Sequence, residues 1–275
     1  LELDTQVCGD LRINVLPGGA LRMYHSKMRT SSQILTLGAC TRGYSLFVDG
    51  SLTMEDSDIS YVSGSRSEFI RGQAEATIRR STFSRCDGNA LSLVDIDGAR
   101  VVVEDCNLLS EGNWGVVVSG AGGEPAVIRD CVLEGKIGAV FMTGQAARLK
   151  LIDCVIGNGG IVFNGPSGEV EVAWTRRVKV IDEAGRPMSG VVVRAQTRDD
   201  SPIPIYINAE TNDEGLAELV LTEWISRPGE ATKHQGINTA AGVDISIAGS
   251  DQRTAGAKFV MARATDTAPI ELSLP

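Results

Sequence analysis

Four aspartates, Asp56, Asp105, Asp130 and Asp153, recur along the chain, the first step being about twice the length of the next two, and the last three are each followed by a cysteine. Carboxylates are the hard oxygen ligands that calcium takes, so the row invites a calcium reading centred on Asp105, Asp130 and Asp153. Carboxyl pairs about 5 to 9.5 Å apart can also act as acid and base on a polysaccharide, and Asp95 and Asp97, with Asp49 and Glu68, join the row as candidates. A third explanation needs no ligand, because an Asp ahead of a bend commonly hydrogen-bonds the turn backbone. The corner role is favoured over calcium, and calcium over catalysis.

The thiols and imidazoles offer less. Cys106, Cys131 and Cys154 fall once per repeat with no histidine nearby, whereas zinc sites usually pair ligands at short spacing. They are expected to pack inward as small hydrophobes, in one column with Ser26, Ser57 and Ser81. Cys8 and Cys40 lie in a less regular stretch and are candidates for a disulfide with each other. The two histidines, His25 and His234, are far apart, and neither has a nucleophile and an orienting acid beside it in the sequence. His25 occupies the frame position that holds Asp in other repeats and is expected at an exposed corner; His234 is expected in a polar loop. Trp114, Trp174 and Trp224 are spread along the chain, Tyr44 and Tyr61 flank early repeats, and none forms a stripe for stacking sugars. No catalytic residue, cofactor or structural metal is assigned.

The element that must position these residues is an eight-residue unit, plainest in Leu149-Lys150-Leu151-Ile152-Asp153-Cys154-Val155-Ile156. It recurs as 101–108 and 126–133, and with serine for cysteine as 21–28, 52–59 and 76–83. Repeats of this length imply stacked units that cannot bury their apolar faces alone. Positions one and three alternate as in a half-buried strand, and the break in phase before Ser or Cys marks a bend. A further strand precedes each unit, as in Leu46-Phe47-Val48 and Val140-Phe141-Met142, and most of these exit into a glycine such as Gly50, Gly72 or Gly144. At position four, Glu55, Arg79, Glu104 and Arg129 alternate in sign and would lie about 4.8 Å apart if the strands pair in register.

The run Gly50-Ser51-Leu52-Thr53-Met54-Glu55-Asp56-Ser57-Asp58-Ile59, followed by Ile78 to Phe83 and the Asp-Cys repeats, resembles the right-handed parallel β-helix of the pectin-lyase-like superfamily. In particular it is similar to coil repeats of large microbial, often archaeal, cell-surface proteins, which implies an extracellular location. That superfamily holds lyases, glycosidases, adhesins and structural solenoids, so the resemblance speaks to fold more than to activity.

The remaining sequence has another style. The pieces 178–195 and 211–224, with a D-x-x-G-x-P-x-x-G turn and a later T-N-x-x-G, resemble the transthyretin-like carboxypeptidase regulatory-like sandwich, usually a non-catalytic accessory module. Short strands are expected at 178–181, 190–195, 216–221, 243–247, 257–262 and 270–274. The fold expected is thus all-β, a right-handed parallel β-helix of about six to seven coils with an N-terminal cap over 1–172 and a small antiparallel β-sandwich over 173–275.

Composition sets the bounds. Glycine is high, at 31 of 275 residues, and aromatics are low at 5%, as corners and a solenoid require. A net charge of −9 with no basic stripe argues against nucleic acid. No run approaches the ~18 apolar residues of a membrane span. The chain opens on Leu1, as a processed protein or a piece of a longer one would. The reading is an extracellular or cell-surface, non-catalytic structural or adhesive protein, a building block of a layer, sheath or filament. It would form a homo-oligomer or polymer by strand addition through 1–7 or 270–274. A polysaccharide lyase or glycoside hydrolase is the alternative, and a carbohydrate-binding module the second alternative.

Overall fold

The computed structural model describes residues 2–3, 11–30, 44–60, 70–95, 100–120, 123–197, 206–231, 233–234, 243–247 and 269–273. Cys8, Cys40, Tyr61, Glu68, Asp97 and the strand expected at 257–262 lie outside them. All named elements are β-strands. The chain divides into two compact units, one of 1–170 with 227–230 and one of 171–226 with 231–275.

The first unit is a parallel solenoid in which the chain visits three sheets in turn. Sheet one stacks Leu11–Val15, Tyr44–Val48, Ile70–Arg71, Leu91–Val94, Trp114–Ser119, Gly138–Thr143 and Ile161–Asn164. Sheet two stacks Ala20–Tyr24, Ser51–Glu55, Glu75–Arg79, Val101–Glu104, Ala126–Arg129 and Arg148–Ile152. Sheet three stacks Glu2–Leu3, Lys27–Thr30, Asp58–Ser60, Thr82–Cys86, Asn107–Ser110, Val132–Gly135 and Val155–Ile156. Six full coils result, 11–30, 44–60, 70–86, 91–110, 114–135 and 138–156, and further strands lie at both ends.

The alternation seen in the sequence sets the inner face. In Ser51–Glu55 the side chains of Leu52 and Met54 are buried and the other three half-buried. The register is that of the repeat frame, with Leu21 on Leu52, Leu52 on Ala76, Met54 on Ile78, Ile78 on Val103, and Ile128 on Leu151. A second inner row on sheet three runs through Met28, Ile59, Phe83, Leu108 and Leu133, all buried. Each such side chain contributes about 1.5 to 3 kcal/mol when fully buried, and only a neighbouring coil can bury it. The coils therefore fold as a stack or not at all.

Two glycines show what the corners between sheets one and two demand. A Cβ on Gly50 would lie 2.2 Å from the carbonyl oxygen of Gly19 on the preceding coil. Gly144 adopts φ +80°, where a side chain would be strained.

The second unit has its own core of Val178, Val180, Val193, Ala195, Ala217, Leu219, Leu221, Ile245, Ile247 and Leu272. One antiparallel sheet has the order Tyr206–Glu210, Val192–Thr197, Val243–Ile247. Strand Tyr206–Glu210 lies outside the strands expected from the sequence, because Pro202 and Pro204 interrupt the apolar alternation of Ile203, Ile205 and Ile207 that leads into it. Ile270–Ser273 pairs parallel to Val178–Ile181, so the unit is mixed rather than wholly antiparallel. The strand expected at 178–181 is the end of one longer continuous strand, Glu169–Ile181. His234 lies not in a loop but in the short strand Lys233–His234, paired antiparallel with Trp224 and Ile225.

Candidate functional site

The column Ser26, Ser57, Ser81, Cys106, Cys131, Cys154 is a hydrogen-bonded ladder as well as a packed one. Each side chain donates to the carbonyl two residues earlier: Ser26, Ser57 and Ser81 at 2.8, 2.8 and 2.7 Å, Cys106, Cys131 and Cys154 at 3.0, 3.0 and 3.3 Å. Ser57, Ser81 and Cys131 also accept from the coil before. The N–H of Ser26 reaches Ser57 Oγ at 3.2 Å, that of Ser57 reaches Ser81 Oγ at 3.1 Å, and that of Cys106 reaches Cys131 Sγ at 3.3 Å. A hydroxyl and a thiol are the small side chains that can donate and accept at once, which is why serine and cysteine share the position. Hydrogen bonding with Cys106 and Cys154, reinforced by burial, pushes the Cys131 thiol far up, while bonding from Cys131 pulls both neighbours down. All three are free and buried. A protonated, enclosed Cys131 is not a nucleophile.

Immediately before each rung stands a residue in the left-handed region. His25, Asp56, Arg80, Asp105, Asp130 and Asp153 have φ between 46° and 55°. Asp tolerates this conformation better than most side chains, and Arg80 shows that the backbone imposes it on others. The N–H of His25, Asp56, Arg80, Asp105 and Asp130 donates to the carbonyl of the residue before the corner on the next coil, at 2.9 to 3.1 Å. Main-chain bonds thus secure the corner.

Side chains along this corner differ from end to end. Asp56 receives Arg80 through Nε and a terminal nitrogen at 2.8 and 2.9 Å, and His25 Nδ1 stands 3.8 Å away. The guanidinium of Arg80 holds the Asp56 carboxyl below the usual carboxylate range. Asp105, Asp130 and Asp153 follow one another with no cation between them in the row. Partial desolvation, then the charges of Asp153 and Asp105, push Asp130 up. Among the described residues no three His, Cys, Asp or Glu side chains are placed to share one metal ion.

The other acids are also distributed by the coils. Asp49 accepts Arg71 at 2.6 and 2.8 Å, and that bond lowers its pKa. Asp95 sits two coils further on at φ +51°, with Arg71 on the coil between. The structure therefore does not join Asp49 and Asp95 as an acid–base pair. Of the position-four ladder, Arg79 bonds Glu104 at 2.9 Å, whereas Glu55 is approached by Arg80 at 3.4 Å. Arg80 is marked in the sequence by its frame position, the one that holds Asp56 in the coil before, whereas nothing in the repeat singles out Arg71.

Aromatic contacts arise across coils. Trp114 stacks on Phe141 with centroids 4.8 Å apart, on the outer side of sheet one. Arg12 and Arg71 both lie over the Phe47 ring, at 5.8 and 5.3 Å. In the second unit, Trp174 packs on the core and its indole N–H donates to Glu223. The two signature turns there are closed by side-chain mimicry. Asp182 Oδ1 accepts the N–H groups of Ala184 and Arg186, and Asn212 Oδ1 those of Glu214 and Leu216. Asp and Asn do this routinely, so these motif residues build turns.

No helix among the described residues is long and apolar enough to cross a membrane. Neither the curated proteins nor the solved structures gave a match to the chain. A family model described as "Right handed beta helix region" matches residues 28–173, which is 146 of the 275 residues. That span holds five of the six ladder rungs and all the Asp corners, and over more than half its length the chain belongs to the right-handed β-helix family.

Proposed function

We infer that the protein is a non-catalytic structural or adhesive building block of a cell-surface layer, sheath or filament. The observation that carries this reading is the use to which the outward charges are put. Arg71 with Asp49, Arg79 with Glu104 and Arg80 with Asp56 each join one coil to the next. Acids held ionised by an arginine are poor proton donors, so two of the carboxylates first considered for catalysis serve cohesion instead. On this reading the solenoid belongs with the microbial surface proteins of the pectin-lyase-like superfamily, with residues 173–275 as a carboxypeptidase regulatory-like module outside the cell.

Assembly would proceed by strand addition. Glu2–Leu3 pairs on one side with Arg29 and Thr30, and Ile270–Ser273 with Val178–Ile181. A neighbouring molecule would use the opposite edges. Electron microscopy of the purified chain at rising concentration, with and without calcium, tests this. Fibres or sheets are expected; isolated monomers under every condition would sink it.

A second reading, a lyase or hydrolase acting on polysaccharide, rests on the carboxylate row of successive corners Asp105, Asp130 and Asp153, where partial desolvation and mutual charge raise the Asp130 pKa. Release of unsaturated or reducing-end products from a glycan panel, lost in Asp130→Asn, would establish it over the scaffold.

A further inference from the structure

We propose that the outer face of the three-stranded sheet in the second unit binds a neutral oligosaccharide, with Tyr206 as its platform. Strands Val192–Thr197 and Tyr206–Glu210 pair so that Val192 faces Glu210, Arg194 faces Asn208 and Gln196 faces Tyr206. Their alternate residues Val193, Ala195, Ile207 and Ala209 turn to the core, which leaves these six on the outer side.

Tyr206 keeps 61% of its surface in solvent, so its ring does little for the core. It is nonetheless held: the Arg194 guanidinium lies 5.2 Å from the ring centroid, and Arg194 Nε donates to Asn208 Oδ1 at 3.2 Å. A ring fixed before the ligand arrives loses little entropy on binding. Beside it stand planar amides, Gln196 opposite and Asn208 next along the strand face, while the carboxylate of Glu210 lies at the far end, opposite Val192. Amides carry two donors and an acceptor in one plane, the arrangement that engages neighbouring sugar hydroxyls while the electron-rich aromatic face meets the C–H groups of a pyranose.

Charge narrows the ligand class. Arg194 is the one cation against Glu210 and, at the register position opposite Gln196, Asp244, and it is already spent on Tyr206 and Asn208, so nothing selects an acidic sugar. Val192 is the lone aliphatic of the six, at 37% exposure, so the face lacks the apolar centre of a protein interface. Three residues along each strand span about 13 Å, the length of a short oligosaccharide. This site goes beyond the scaffold reading and does not depend on it.

The test titrates the whole chain with neutral hexasaccharides (cellohexaose, xylohexaose, mannohexaose, maltohexaose), with a galacturonate hexamer as the charged comparison, followed by NMR. Saturable binding to a neutral sugar is expected at about millimolar affinity or tighter. Tyr206→Ala should weaken it about tenfold or more, the loss typical of a central aromatic anchor. Tyr206→Phe should keep most of it, and Gln196→Ala should weaken it less than Tyr206→Ala. Binding to none of the neutral sugars, binding to the galacturonate alone, or neutral binding unchanged in Tyr206→Ala would each overturn the proposal. Microscopy of assembly judges the scaffold separately, so either can fail alone.

Discussion

Coils one to three and coils four to six have the same backbone and opposite chemistry. In the first half the rungs are serines, the corner carries His25, Asp56 and Arg80, and the outer rows are charged and paired between coils. In the second half the rungs are cysteines and the corner is Asp105, Asp130 and Asp153. Two of the outer rows there turn apolar, with Val117 beside Phe141 and Val162 on sheet one and Val132 beside Val155 on sheet three, while Glu104 and Arg129 keep the outer row of sheet two charged. Val155 and Val162 remain 60% and 38% exposed. The difference teaches that coil geometry asks only for a small donor–acceptor at the rung and a left-handed residue at the corner. What fills the outer rows is left to function.

The sharpest way to break the comparison is to open the core where the halves meet. Phe83 is fully buried between Ile59 and Leu108 on its neighbouring coils. Phe83→Ala should cost about 3 to 5 kcal/mol by urea unfolding. If the solenoid is one cooperative stack, amide exchange should quicken in both halves; protection kept in one half would show that they unfold separately.

The ladder comes next. Ser57→Ala and Cys131→Ala each leave a backbone N–H of the preceding coil region without its acceptor, at about 1 to 3 kcal/mol. The exchanges Ser57→Cys and Cys131→Ser keep both bonds and should cost less than about 1.5 kcal/mol. If the exchanges proved as costly as the alanines, packing volume rather than hydrogen bonding would govern the rung.

The two halves should also answer acid with opposite sign. Asp49 has a folded pKa below its ordinary 3.8, so its contribution is present above that value and lost as pH falls through the folded one. Asp130 has a folded pKa above 3.8, so its ionised form is a penalty at neutral pH, relieved as pH falls through the folded value. Asp130→Asn should therefore stabilise at pH 7 by under about 1 kcal/mol, with the gain shrinking near pH 4 and in high salt. A loss of stability at pH 7 would mean the row holds a cation. Smallest of all, Arg79→Ala should cost less than about 1 kcal/mol, and less still at high salt, because the pair with Glu104 is only half-buried and open to screening.

The sequence by itself determined the stack. An eight-residue frame with inward residues at fixed places has one register that buries them all, so Leu52, Ile78, Val103 and Leu151 could be placed in rows before any coordinates. The two turns of the second unit were equally legible, since Asp182 and Asn212 close them within four residues. Tertiary structure decided which charges meet, because Arg71 and Asp49 are 22 residues apart and their pairing depends on the length of each corner. It also decided that Glu169–Ile181 is one strand and that Tyr206–Glu210 is a strand at all, whose exposed ring no periodicity reveals. Local pattern fixes what points inward, where burial dominates the energy. The outer surface is weakly constrained, and its sites form only when distant segments are brought side by side.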